Sequence, residues 1–107
     1  MHAATEAQPA IIEKRRAIVR VDGSIEYFEK PITNRQISIT IGARTLDSVQ
    51  LKSWGSGAWQ MVVDDTGMVN GRPVNEIATD LYLKQCAGGS PYSIHGDVVI
   101  VPDADFA

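Results

Sequence analysis

A chain of 107 residues fits one domain with a modest core, and its apolar share of 44% and charged share of 21% are those of an ordinary globular protein. Thirteen acidic against ten basic residues give a formal net charge of −3. That argues against non-specific nucleic-acid binding and is far too mild for a DNA mimic. The single cysteine, Cys86, excludes an intramolecular disulfide and points to a reducing, cytoplasmic setting.

Residues 1–14 are rich in Ala, Glu and Gln and read as a flexible N-terminal tail. Its charges follow the apolar pair Ile11-Ile12 where a signal peptide would place them before it. No window approaches the roughly 18 to 20 apolar residues of a membrane span. Residues 11–16 allow either a short helix or a simple lead into a sheet. A single domain is expected over 15–102, with a C-terminal tail over 103–107.

AIVRV and SIEYF flank Asp22-Gly23, which predicts a hairpin of 17–21 with 24–29 around a two-residue type I′ turn. Pro31 ends it, because proline cannot donate a ladder hydrogen bond. The stretch 32–44 is open. Ile37, Ile39 and Ile41 alternate with Ser38 and Thr40 as in a strand, yet Thr33 or Asn34 could cap a short helix. TLDSVQLKSW (45–54) and AWQMVV (58–63), joined across Gly55-Ser56-Gly57, predict a second hairpin.

After Val63 the pattern changes. Asp64-Asp65-Thr66-Gly67 reads as a turn, Met68-Val69 as a brief apolar touch-down, and Asn70-Gly71 as another turn. Asn75 suits an N-cap, and a helix is expected over about 75–86. Ile77 and Leu81 would line its apolar side, with Ala78 and Tyr82 flanking and the Lys84 stem alongside. Glu76 and Asp80 early and Lys84 late match the helix dipole. GDVVIVP (96–102) is continuously apolar, as in a central strand. The fold class is therefore α+β: a small, mostly antiparallel sheet built from hairpins, with one main helix packed on a face.

Chemistry-bearing residues are sparse. His2, His95 and Cys86 offer no zinc spacing. Asp64, Asp65 and Asp97 are the candidates for a hard cation, but DDTGMVNG lacks the third carboxylate and closing Glu of a calcium loop. Cys86 sits near a helix end, where the dipole raises a thiol pKa. His95 could serve as a base, although a lone loop histidine is more often structural. No catalytic residue, metal or cofactor is expected.

Partner- or ligand-binding candidates are Asn70, Arg72, Asn75, Trp54, Trp59 and Asp65. Trp54 and Trp59 either pack across the second hairpin or face outward as binding anchors. Arg72 offers a planar fork for an anion beside the free N–H groups of the helix start. Otherwise it pairs with Asp64 or Asp65 and braces the loop.

The stretch GMVNGRPVNEIAT followed by GDVVIVP resembles a family of small phage, plasmid and bacterial proteins, the domain-of-unknown-function family 3846. The similarity runs from Ala17 to Pro102. It rests on the strand in IGARTLDSVQL, on VVDDTG, on the G-x-P-x-N segment Gly71 to Asn75, and on the closing strand Gly96 to Val101. The resemblance implies a helix before the first of these strands, where 32–41 alternates instead. It carries no catalytic residue across and implies context: accessory genes of mobile elements, where anti-defence inhibitors are common. The expected function is a small non-enzymatic accessory protein that binds and modulates a host or defence-system protein. The alternative is a binder of an anionic small molecule or nucleotide at the helix start around Arg72 and Asn75. A small sheet with uncovered edges also favours a homodimer.

Overall fold

The computed structural model describes residues 14–51, 58–85 and 93–106. Five strands, β1 (Ala17–Val19), β2 (Ile25–Tyr27), β3 (Leu46–Gln50), β4 (Trp59–Asp64) and β5 (Val98–Pro102), form one sheet in the order β2-β1-β5-β4-β3. Every neighbouring pair is antiparallel. Helix α1 (Asn34–Ile41) connects the two edge strands, and α2 (Glu76–Gln85) connects β4 to β5. The α+β class holds, and the helix expected near 75–86 is α2.

The period of two along the central strands gives each helix its own face. Met61 and Val63 on β4, with Val98 and Ile100 on β5, join Ala78 and Leu81 of α2 in one buried cluster. The intervening Val62, Val99 and Val101 turn the other way and meet Ile37 and Ile41 of α1. β5 lies at the centre of the sheet and is buried on both sides, which is why its run of apolar residues is unbroken. The Lys84 side chain is exposed and pairs with Asp80, one turn earlier, at 3.1 Å.

The open stretch 32–44 resolves as a helix. Thr33 accepts from the Gln36 backbone and Gln36 Oε1 accepts from the Thr33 N–H, a complete capping box. Gly42 closes the helix in the left-handed conformation at φ 68°. Ile37 and Ile41, one turn apart, face the sheet, while Ile39 points to solvent.

Three further expectations need correction. The first hairpin is not a two-residue type I′ turn. Gly23 N–H donates to Arg20 O at 3.0 Å and Arg20 N–H to Ser24 O at 2.9 Å, leaving Val21, Asp22 and Gly23 as a three-residue loop with only Gly23 required at positive φ. Asp22 accepts from Ser24 N–H at 2.8 Å instead, and Asp97 Oδ1 holds the Val21 N–H. Residues 103–106 are not a tail. Asp103–Phe106 form a 3-10 turn, and Arg16 grips the 5%-exposed Asp105 side chain with two hydrogen bonds of 2.8 Å. Met68 and Val69 do not touch down on the core but stand exposed. The tail over 1–14 falls outside the described residues except for Lys14, as do Trp54, the Gly55-Ser56-Gly57 loop and Cys86.

Candidate functional site

The connection from β4 to α2 folds back on its own backbone. Gly67 N–H donates to Asp64 O, Asn70 N–H to Thr66 O, Gly71 N–H to Met68 O and Arg72 N–H to Gly67 O, all between 2.9 and 3.1 Å. Asn70 adds a side-chain bond to Thr66 at 2.9 Å, so it serves the loop. A Cβ on Gly67 would lie 2.6 Å from the His95 carbonyl oxygen, so only glycine lets the loop sit this close to the segment before β5. With the backbone turned inward on itself, Met68 and Val69 are left at the outside, 55% and 86% exposed.

Arg72 is the brace of this region. Its Nε donates to Asp64 Oδ2 at 2.7 Å, and Nη2 donates to the carbonyl of Gly42 at the end of α1. Asp64 Oδ1 accepts from the Thr66 N–H and hydroxyl, so both oxygens of this buried carboxylate are engaged. The Arg72 stem lies against Gly96, where φ is +92° and a Cβ would come within 2.9 Å of Cδ.

Asn75 is wholly buried. Its Nδ2 donates to Val19 O and Gly96 O, and its Oδ1 accepts from Ala78 N–H, capping α2. The two anchors of the anion reading are thus committed to the fold. Glu76, in the first turn of α2, would also repel an anion there. Trp59 packs beside the α2-side cluster and sits opposite Pro102, the packing alternative for that residue.

A second set of residues converges on the far side of the loop. The ring of His95 is fixed at both nitrogens, Nδ1 at 2.8 Å from Arg72 O and Nε2 at 2.9 Å from Ser93 Oγ. A carbonyl oxygen only accepts, so Nδ1 carries the proton; in the neutral ring Nε2 then accepts from the Ser93 hydroxyl. Hydroxyl and imidazole at this distance are within reach of proton exchange. The contact closes within one extended segment, between residues two apart, and it aligns the segment that bridges to Val74.

Ser93 and His95 open onto a cavity of about 310 Å³ that also reaches Asp47, Val49, Asp65, Met68 and Tyr82. Asp65 hangs its backbone on Thr45 O at 3.1 Å and leaves its side chain exposed. Of the partner- or ligand-binding candidates among the described residues, Asp65 alone lines this cavity, with Asp64 and His95 from the chemistry-bearing set beside it. Asp47, Tyr82, Ser93 and the exposed Met68-Val69 pair were not foreseen as a surface. An apolar pair set among turn formers in TGMVNG was the one available signal. Among the described residues, no group of three or more His, Cys, Asp or Glu is placed to hold a metal ion. No helix among them is long and apolar enough to cross a membrane.

Comparison of the chain with protein-family models, curated proteins and solved structures finds no match.

Proposed function

We propose that this chain is a small non-enzymatic accessory protein, of the kind carried by phages and plasmids, that binds another protein in the cytoplasm and modulates it. The partner class is a host or defence-system protein. The observation that carries the reading is the loop at 65–72, which holds Met68 and Val69 out to solvent on a backbone bonded to itself. Exposed apolar side chains scattered singly need no explanation. Two adjacent ones on a loop fixed by four backbone bonds and the Arg72–Asp64 pair are a preorganised contact, since little entropy is left to lose on docking. The resemblance of GMVNGRPVNEIAT and GDVVIVP supplies the mobile-element context.

Affinity capture with the tagged chain tests this reading, comparing wild type with Met68→Ser/Val69→Asp. A stoichiometric partner held by wild type and lost from the variant is expected, with thermal denaturation of the two alike. Capture that ignores the substitution would remove the loop from the interface. Turnover of nitrophenyl acetate that disappears in Ser93→Ala would overturn the non-enzymatic part.

A further inference from the structure

We infer that the cavity beside His95 receives a lysine or arginine side chain presented by the partner protein. The inference rests on the protein-binding reading and names the chemistry that enters next to Met68. The cavity volume of about 310 Å³ is at the floor of the ~300–1,000 Å³ typical of ligand sites, a size for one long side chain more than for a nucleotide. Its apolar walls are Val49 from β3, Tyr82 from α2, Ile94 and Met68. Such walls suit the aliphatic stem of a long cationic residue, whose charge then sits at the polar rim.

The rim is anionic and unspent. Asp65 has no side-chain hydrogen bond or ion pair among the described residues. Among the described residues Asp47 accepts from the neighbouring Ser48 N–H alone, at 2.8 Å. Asp64 also borders the cavity, but Arg72 already balances its charge. Among the described residues no lysine or arginine lines the space, and two carboxylates face it with no counter-ion among those residues. His95 and Ser93 are turned toward each other. A cation on a flexible apolar stem complements this set, whereas an anion meets two like charges. Because Met68 belongs both to the cavity wall and to the exposed loop tip, a partner segment resting on Val69 has its neighbouring side chain within reach of the cavity.

The test is an amide NMR titration of the full chain with N-acetyl-arginine amide, N-acetyl-norleucine amide and spermidine. Arginine amide should shift Val49, Asp65 and Ile94 with a millimolar dissociation constant, in keeping with a single side chain. Norleucine amide should be silent, and the shifts should weaken with salt. Asp47→Asn/Asp65→Asn should reduce the affinity about tenfold with an unchanged melting temperature, since both side chains are exposed. Equal responses to arginine and norleucine amides, an unaffected double variant, or tighter binding of spermidine than of arginine amide would each overturn the inference. A silent cavity with Val69-dependent partner capture refutes this inference and leaves protein binding standing. A responding cavity with no stoichiometric partner captured by wild type refutes protein binding and leaves the cation preference.

Discussion

Arg72 Nε donates to Asp64 Oδ2 at 2.7 Å, and the Asp64 side chain is only 2% exposed while that of Arg72 is about a third exposed, at 32%. The asymmetry sets the consequences of breaking the pair. Removing the arginine strands a buried carboxylate, whereas removing the carboxylate leaves a cation that water already reaches. The same guanidinium reaches Gly42 O at the end of α1, so one side chain ties the helix on one sheet face to the loop that precedes the helix on the other.

Arg72→Ala should therefore cost about 3 kcal/mol, the lower range for an uncompensated buried charge. Asp64→Asn should cost about 1 kcal/mol, because the amide oxygen still accepts from Thr66. Urea denaturation at neutral pH reads both. Equal losses would show that the stranded carboxylate is not the dominant effect.

Gly96→Ala should be destabilising by about 2 kcal/mol, from a left-handed φ of +92° and a Cβ 2.9 Å from Arg72 Cδ. In an Arg72→Ala background the steric part vanishes and the backbone part remains. The two substitutions should then sum to less than their separate costs, and additivity would place the strain wholly in the backbone.

Asn75→Asp tests whether Asn75 is a ligand anchor or an internal brace. The new carboxylate would face the carbonyl oxygens of Val19 and Gly96, which now take two N–H bonds. Those oxygens and burial raise its folded-state pKa above the unfolded value, so the folded state takes up a proton. The variant's stability is then greatest in acid and declines as pH rises through that raised value. Denaturation midpoints between about pH 4 and 7 should separate progressively from wild type as pH rises. A constant offset would mean that the site admits water.

The parts of this fold legible in the sequence are those where one signal excludes its rivals. VVIVP reads as a central strand because no half-exposed element tolerates an unbroken apolar run, and β5 is central. Asn75 followed by a dipole-matched segment reads as a helix start, and α2 begins at Glu76. Residues 37–41 carry two signals at once. Ile37, Ile39 and Ile41 satisfy alternation, but Ile37 and Ile41 alone satisfy a helical face, and the 70%-exposed Ile39 is the residue that misleads. The T-x-x-Q box of Thr33 and Gln36 with Gly42 eight residues past Asn34 was the deciding pattern. At the site, the Arg72–Asp64 pairing was one of two alternatives that only geometry separates. The meeting of His95 with the Arg72 carbonyl, and the placement of Asp47 and Asp65 around one cavity, join segments far apart in the chain and leave no local trace.

Asp22 should make the first hairpin sensitive to acid. The Ser24 hydroxyl first, and then the Ser24 backbone N–H, hold its carboxyl below the ordinary 3.8. A depressed folded-state value means that the stabilisation is present above pH 3.8 and is lost as pH falls through the folded value. Asp22→Asn keeps the turn but does not titrate. The difference in denaturation midpoint between wild type and variant should shrink only below that pH. A difference that stays flat into strong acid would assign the effect to turn geometry alone.

Asp105→Ala should release the C-terminal turn without unfolding the sheet. The fork of Arg16 binds both Asp105 oxygens at 2.8 Å, and its third nitrogen holds Glu29 O at the end of the first hairpin. The same bidentate bond raises the Arg16 pKa further, which has no consequence at ordinary pH. Charge-assisted bonds of this geometry are worth roughly 1.5–3 kcal/mol, and the 23%-exposed Arg16 side chain places this pair toward the lower end. Losing them should accelerate amide hydrogen exchange over 103–106 and at Phe28, whose N–H is bound to Arg16 O. The Met61 and Val99 amides, in the sheet interior, should keep their protection apart from a uniform shift by the global loss. If 103–106 exchange no faster in the variant, the Asp103 N–H bond to Ala58 O is sufficient to hold the turn, and the arginine fork is not what docks it.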